Sequence, residues 1–164
     1  MTRTGSIAAA TMAALLAACG QGAETPEKTV QQLMADDVQP TAEIYWDAVR
    51  YESVLEDGLP VERDIQPETD EDWAKVKASA TRLGELGALL QSPGYAEGRG
   101  EDWMQFSRSL VEVSQLAAQA ADEKNTEKVF EVGGTVYQVC TACHQVYPPA
   151  EGVPGEDGAD EPAA

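Results

Sequence analysis

The sequence predicts an all-α protein, and more narrowly an antiparallel four-helix bundle. Three stretches carry apolar residues at alternating spacings of three and four, a pattern that places them on one face of a helix. A fourth, less regular stretch precedes them, and no run of alternating apolar and polar residues indicates a strand. Because the links between the stretches are short, antiparallel packing of neighbouring helices is favoured. The predicted domain runs from Glu27 to Tyr147.

The first predicted helix extends from about Glu27 to Glu56. Its apolar stripe consists of Val30, Leu33, Met34, Val38, Tyr45, Val49 and Leu55. Pro40 interrupts the stripe and removes a backbone hydrogen bond, so we expect a kink or break near Gln39. A longer connection follows, from Asp57 to Glu68.

Two regular helices are predicted next. The second helix begins after Thr69 as N-cap, and the acidic residues 70–72 complement the positive end of its dipole. Its stripe consists of Trp73, Val76, Ala80, Leu83, Gly87 and Leu90. It ends at the turn sequence of residues 91–94, and the third helix opens after Gly100. The stripe of the third helix consists of Trp103, Phe106, Leu110, Val113, Ala117 and Ala120.

The last predicted helix carries two cysteines on its buried face. Its stripe consists of Val129, Gly133, Val136, Cys140, Cys143 and Tyr147, and Pro148-Pro149 stops it. Gly133 and Gly134 each cost roughly 1 kcal/mol relative to alanine in a helix interior. Either a neighbouring helix or a bound group approaches the backbone there, or the pair is a weak point. Residues 148–164 are rich in proline, glycine and acidic residues, which predicts a disordered acidic tail.

The N-terminus has the pattern of a bacterial export signal, predicted over residues 1–18. Arg3 provides a positive charge, and the apolar stretch from Ile7 to Leu16 is too short to span a bilayer. The sequence Leu16-Ala17-Ala18-Cys19 resembles a lipobox, in which Cys19 is lipidated and becomes the mature N-terminus. An ordinary cleavage site with a chance cysteine is the alternative.

Residues 19–26 are predicted to be a tether from the lipidated cysteine, and the part from Gly20 to Pro26 reaches about 25 Å at most at ~3.5 Å per residue. Gly20 is not the aspartate that resembles a signal for retention at the inner membrane, so the outer membrane is favoured. The expected location is therefore the periplasmic side of a bacterial membrane, where the lipid provides the only membrane contact.

The charge of the chain is strongly one-sided, with 29 acidic and 11 basic residues. Such a surface repels nucleic acids and anionic lipid headgroups, so we expect no binding to nucleic acid. It favours partner proteins with a basic docking surface, or it only keeps the protein soluble.

The run Cys140-Thr141-Ala142-Cys143-His144 has the spacing of a covalent c-type haem attachment site. Two thiols three positions apart can each add to one vinyl group of a porphyrin, and the following imidazole can bind the iron. His144 is the only histidine in the chain. The motif therefore predicts one covalently attached haem c per chain.

Three other interpretations of this motif stay open at this point. A thioredoxin-like pair would lie at the beginning of a helix, where the helix N-terminus lowers a thiol pKa, whereas this pair lies near the end of one. A structural zinc site would need a fourth ligand, and the remaining cysteine, Cys19, is assigned to a lipid. A plain disulfide would not require His144.

A four-helix bundle with this motif near the end of its last helix resembles the cytochrome c prime superfamily. The resemblance covers residues 27–147. It implies His144 as the proximal iron ligand and a distal position that faces the first helix. Low-spin relatives carry a methionine there, which implies Met34 as the second axial ligand, whereas Leu33 in that role would leave an open iron. Met104 is the other methionine outside the signal, and we expect it to pack in the core.

Two further points follow from the resemblance. Tyr147 matches an aromatic residue common after the motif, but no basic residue follows His144 where family members pair with the haem propionates. Members of the family also dimerise through their first two helices, so the resemblance leaves a homodimer open.

These observations predict a periplasmic electron carrier and not an enzyme, because no catalytic base, nucleophile pair or substrate cleft is apparent. One alternative is a five-coordinate protein that binds nitric oxide or carbon monoxide for sequestration or sensing. Another is a structural or interaction lipoprotein in which the haem is secondary.

Overall fold

The computed structural model describes residues 25–149. The predicted signal peptide, Cys19, residues 20–24 of the tether and residues 150–164 of the acidic tail lie outside the described residues. The described chain is mostly helical with one two-stranded sheet, so the all-α prediction is confirmed in general. None of its helices is long and apolar enough to cross a membrane.

The first helical segment consists of α1 (Val30–Leu33), a π-helical turn (Met34–Val38) and α2 (Gln39–Asp47). Thr29 caps α1 through a capping box, in which its hydroxyl accepts from the Gln32 backbone N–H and the Gln32 side chain accepts from the Thr29 N–H. This reciprocal cap explains why the helix begins at Val30 rather than nearer to Glu27.

The chain remains helical through Pro40, and the expected irregularity takes the form of the π turn. The Gln39 N–H donates to the Met34 carbonyl, five residues back, in place of the usual four. In a regular α-helix the ring of Pro40 would clash with the Asp36 carbonyl. The wider turn directly upstream accommodates that carbonyl, so the helix is not broken.

The prediction of a helix through Glu56, followed by a plain connection from Asp57 to Glu68, is wrong. The helix ends at Asp47, and β1 (Arg50–Glu56) and β2 (Leu59–Ile65) form an antiparallel hairpin. Leu55 is 77% exposed and therefore no part of the core. The turn residues Asp57 and Gly58 have φ values of 51° and 82°. An Asp-Gly pair with two positive φ angles is typical of the type I′ turn, which fits the twist of a two-stranded hairpin.

The two regular helices follow as predicted. α3 (Asp70–Leu90) is capped by Thr69, whose hydroxyl accepts from the Asp72 backbone N–H. A short helix, α4 (Pro93–Ala96), occupies the predicted turn region, and α5 (Gly100–Asp122) follows it. The pKa of Asp72, in the first turn of α3, is lowered mainly because its carboxylate accepts hydrogen bonds from the Thr69 hydroxyl and the Thr69 backbone N–H.

The last helix, α6 (Thr126–Val146), is capped by Asn125, whose side chain accepts from the Lys128 backbone N–H. It ends before Pro148-Pro149, as the sequence predicts. Of its predicted stripe, Val129 and Val136 are fully buried, whereas both cysteines are only half-buried.

The helices α2, α3, α5 and α6 pack in a ring, each against the next. α3 packs closely on α5, α5 on α6, and α2 on α3, while α2 and α6 share a much looser contact. The interior contains two apolar clusters. The first cluster consists of Leu33, Val38, Ala42, Leu83, Leu86, Leu90, Tyr95, Trp103, Leu110, Val113 and Val136. The second cluster consists of Tyr45, Val49, Trp73, Val76, Ala80, Ala117, Ala120, Ala121 and Val129.

Candidate functional site

The predicted attachment residues lie in the last two turns of α6. Cys140 and Cys143 are three residues apart, so their side chains point to the same side of the helix. Both are half-buried and neither forms a disulfide. His144 follows directly and is exposed, one turn beyond Cys140. Two neighbouring thiols and an accessible imidazole therefore meet at the end of one helix.

The environment of the two thiols keeps them protonated. Burial, with a smaller contribution from the neighbouring Cys143, raises the pKa of Cys140 to about 11. Burial also raises the pKa of Cys143. A catalytic Cys-x-x-Cys pair needs the opposite shift, because the thiolate is its nucleophile. The geometry thus disfavours the thioredoxin-like interpretation.

Met34 and Cys140 both pack against the first cluster, although they are far apart in the sequence. Both side chains pack against its buried residues from the outside, as do Met104 and Tyr147. Met34 and the first cysteine of the motif therefore border the same apolar cluster. Met104 borders it too, so proximity to the cluster alone does not separate the two methionines.

The structure does separate Met34 from its neighbour Leu33. Leu33 is only 3% exposed and forms part of the first cluster, whereas Met34 is half-buried at its margin. Met34 also opens the π turn, and such turns occur frequently at functional sites. Of these two residues, Met34 is the one whose side chain is not fully used in core packing.

An open seam lies between the first helical segment and α6. The backbones of α1 and α6 make few close contacts, although both helices contribute to the first cluster. Farther along the seam, the indole N–H of Trp46 donates to the Gly133 carbonyl at 2.9 Å. A cavity of about 320 Å³ lies along this seam, and Tyr45, Trp46, Gly133 and Tyr137 are among its lining residues.

The two glycines of α6 have different environments. A Cβ atom at Gly133 would lie 3.3 Å from Cδ1 of Trp46, so the close approach of this indole explains the absence of a side chain. A Cβ atom at Gly134 would meet nothing within 4 Å. At Gly133, therefore, a neighbouring helix approaches the α6 backbone closely, as one of the two interpretations of the glycine pair expected.

A chain of hydrogen bonds closes the end of the molecule where α6 ends. The Tyr147 hydroxyl donates to the Arg99 carbonyl at 2.6 Å, and Nε of Arg99 donates to the Tyr95 carbonyl at 2.8 Å. The Tyr95 hydroxyl donates in turn to the Lys28 carbonyl at 3.0 Å. The beginning of α1, the α4–α5 connection and the end of α6 are thereby joined beside the motif.

Arg99 is a functional candidate that the sequence did not reveal. Its guanidinium carbon lies 4.4 Å from the centre of the Trp103 ring, and that ring packs edge-on against Tyr147 at 5.1 Å. Among the basic side chains of residues 25–149, only Arg99 and Arg108 form no ion pair with a carboxylate. In the sequence, the only indication of this contact was that an arginine lies four residues before a tryptophan, a spacing that permits stacking on a helix.

Within residues 25–149, no three His, Cys, Asp or Glu side chains converge on a point where they would hold a metal ion. A haem iron takes four of its ligands from the porphyrin, so this finding concerns a bare ion and not a haem. Comparison of the chain with protein-family models, curated proteins and solved structures gave no match.

Proposed function

We propose that this protein is a lipid-anchored monohaem c-type cytochrome that carries single electrons at the periplasmic side of a bacterial membrane. One observation carries the proposal: two neutral, half-buried thiols at Cys-x-x-Cys spacing directly precede an exposed His144 at the end of α6. Met34 lies at the margin of the same apolar cluster. This combination provides covalent attachment, a proximal ligand and a distal ligand from one chain.

The finer architecture that we propose is the antiparallel four-helix bundle, formed by the first helical segment, α3, α5 and α6. The composition of the two clusters supports it. The first cluster combines the beginning of the first segment and of α5 with the end of α3 and the later part of α6. The second combines the opposite ends of the same helices. Successive helices that alternate in direction produce this distribution.

The residues present fit a haem c at the end of α6. When bound, the haem supplies an iron that gains and loses one electron. Cys140 and Cys143 would hold the haem through thioether links, and the His144 imidazole would bind its iron. The Met34 thioether would be the second protein ligand to the iron, which would raise the reduction potential relative to a second nitrogen ligand. Cys140 packs against the aliphatic and aromatic side chains of the first cluster, which would keep water from that side of the haem.

A five-coordinate, gas-binding site has weaker support. It would require an apolar residue such as Leu33 to face the iron while the methionine packs elsewhere. Leu33 is instead packed into the first cluster, and Met34 has the more accessible position. Sulfur ligation by Met34 is therefore the assignment that the packing favours.

A potentiometric titration followed by absorbance tests the electron-carrier function. We expect one reversible transition with a slope of one electron, because one haem is attached per chain. A haem that cannot be cycled reversibly, or a chain with no redox-active chromophore, would contradict the proposed function.

The proposed lipid anchor turns the haem end of the molecule toward the membrane. Thr25, the first described residue, lies three residues before Lys28, and the Lys28 carbonyl accepts from Tyr95 at the end where α6 finishes. The described chain therefore begins at the same end that carries His144, and the predicted tether of about 25 Å at most joins it there. This arrangement favours electron exchange with a partner at the membrane surface.

Cys19→Ser tests the anchor. We expect this variant to move from the membrane fraction to the soluble periplasmic fraction, because the described residues contain no membrane-spanning helix and the acidic surface repels anionic lipids. The measurement is the partition of the protein between fractions after a salt wash. A variant that remains with the membrane would refute lipidation at this position.

We assign Arg99 as the cation that faces the haem propionates. It lies at the end of α6 without a carboxylate partner among the described residues, and stacking on Trp103 holds it in place. Loss of its charge in Arg99→Gln should favour the ferric state and lower the reduction potential by about 60 mV, a tenfold change in the redox equilibrium.

Two controls accompany this measurement. Arg108→Gln removes the other arginine without a carboxylate partner among residues 25–149 and should change the potential much less. The Nε of Arg108 donates to the Met104 carbonyl. Arg99→Lys keeps the charge and should restore most of the potential. Equal shifts in Arg99→Gln and Arg108→Gln would show that only the net charge matters.

A further inference from the structure

The β-hairpin has little support from the rest of the chain. Neither strand contributes a residue to either core cluster, although Val49, directly before β1, belongs to the second cluster. The two strands contact mainly each other. Tyr51, Leu55 and Leu59 are 71%, 77% and 68% exposed. A two-stranded hairpin on its own is only marginally stable in water, and further strands stabilise it. Most of the hairpin surface therefore lacks a packing partner.

The free edge of β1 has unpaired backbone groups at alternate residues. Glu56 and Leu59 flank the two-residue turn and form a hydrogen-bonded pair, so the pairs alternate from there. In that alternation Tyr51, Ser53 and Leu55 direct their N–H and C=O groups outward, away from β2. Such a row of groups is a template for another strand.

The edge of β2 is less suitable for strand addition. Its outward-facing positions include Pro60, which has no N–H to donate, and Glu62, which lies opposite Ser53. Pairing of two β2 edges about Glu62 would place like charges directly opposite each other. The edge of β1 is thus the one that can accept a strand.

β1 is complementary to itself in the antiparallel direction. With Ser53 opposite Ser53 of a second copy, Tyr51 lies opposite Leu55 and Arg50 lies opposite Glu56. The Tyr51–Leu55 pairing joins an aromatic and an aliphatic side chain, and the Arg50–Glu56 pairing joins opposite charges. By symmetry, each pairing occurs twice in the dimer. The same register pairs outward-facing residues only with outward-facing residues, as a hydrogen-bonded antiparallel ladder requires.

We propose that β1 pairs with β1 of a second copy about a two-fold axis at Ser53, and forms a four-stranded sheet in a homodimer. The exposed aromatic patch next to β1 supports this. Tyr51 packs edge-on against Phe130 at 5.6 Å, and Phe130 is 52% exposed. Leu55 of the second copy lies against Tyr51 and extends this patch. A two-fold interface of this kind is closed, so assembly stops at two copies.

The net charge distinguishes this dimer from a complex with a basic partner. Two copies that each carry a formal charge of −18 repel each other, and salt screens this repulsion. The dimer should therefore become stronger as the salt concentration rises, whereas binding of a basic partner should become weaker.

Disulfide trapping of the full chain tests the proposal. Hydrogen-bonded residues across an antiparallel pair have Cα atoms about 5.5 Å apart, a separation that a disulfide bridges. Ser53→Cys should therefore cross-link into a dimer under mild oxidation, and faster at higher salt. Glu62→Cys, at the same level on the other edge, and the unchanged chain are the controls and should not. No dimer from Ser53→Cys, or equal trapping by Glu62→Cys, would overturn the proposal.

A second substitution tests the side-chain pairing in the same assay. Leu55→Asp, added to Ser53→Cys, should slow cross-linking about tenfold because each dimer loses two Tyr51–Leu55 pairs. Leu116→Asp is the matched control, since Leu116 is 55% exposed on α5 and should leave the rate unchanged. Both changes affect exposed side chains, so neither should unfold the chain. An equal effect of the two would contradict the proposed register.

Discussion

Serine at both Cys140 and Cys143 is expected to abolish covalent haem attachment. The two thiols are the only cysteines among residues 25–149, and a hydroxyl does not form the thioether link to a vinyl group. The measurement is haem that stays with the chain on a denaturing gel, in a host able to attach it. The unchanged protein should retain one haem, and the double variant should retain none.

Thr141→Ala is the matched control within the motif. The Thr141 hydroxyl donates to the Tyr137 and Gln138 carbonyls of its own helix, and it has no role in attachment. This variant should keep its haem. A double serine variant that still carries covalent haem would contradict the assignment. Circular dichroism of the same samples shows whether the haem-free chain stays helical, and a partner retained by a folded haem-free chain would favour the structural-lipoprotein alternative.

Met34→Leu is expected to convert a low-spin, six-coordinate haem into a high-spin one that binds carbon monoxide. Leucine has nearly the volume of methionine, so packing at the margin of the first cluster is largely preserved while the sulfur is lost. The reduction potential should fall as well, because thioether ligation raises it. Absorbance spectra with and without carbon monoxide give both the spin state and the ligand response.

Met104→Leu is the control for this substitution, because Met104 packs against the same cluster. Its spectrum should equal that of the unchanged protein. An unchanged spectrum in Met34→Leu would remove Met34 from the iron. A loss of low-spin character in Met104→Leu instead would transfer the distal position to that residue.

The regular helices were predictable from the sequence because local signals agree with the packing. In α3 the capping box of Thr69 and the buried stripe that begins at Trp73 specify the same helix. In α6 the cap at Asn125 and the stop at Pro148 agree with the buried positions of Val129 and Val136. Such helices can be predicted from the sequence because their local and long-range preferences agree.

The hairpin was missed because apolar residues at helical spacing continued into it. Val49 is buried and continues the stripe of α2, but Leu55 is exposed on a strand. The Asp57-Gly58 pair was the signal that would have identified the hairpin. The π turn near Pro40 arises from how one proline is accommodated, a detail that the apolar pattern does not contain.

The candidate site was only partly predictable for a related reason. Cys140, Cys143 and His144 are adjacent in the sequence, so their chemistry is visible from spacing alone. Arg99 and Trp46 act on α6 across long sequence separations, and only the folded chain shows those contacts. Long-range neighbours of a local motif are the part that a single sequence does not specify.

Absorbance spectra of the purified protein, oxidised and then reduced, with carbon monoxide added to the reduced form, test the central claim most directly. We expect a low-spin c-type haem, a band from sulfur-to-iron charge transfer in the oxidised form, and no response to carbon monoxide. A high-spin spectrum that shifts with carbon monoxide would contradict Met34 ligation, and a chain without haem from a competent host would contradict the proposed function altogether.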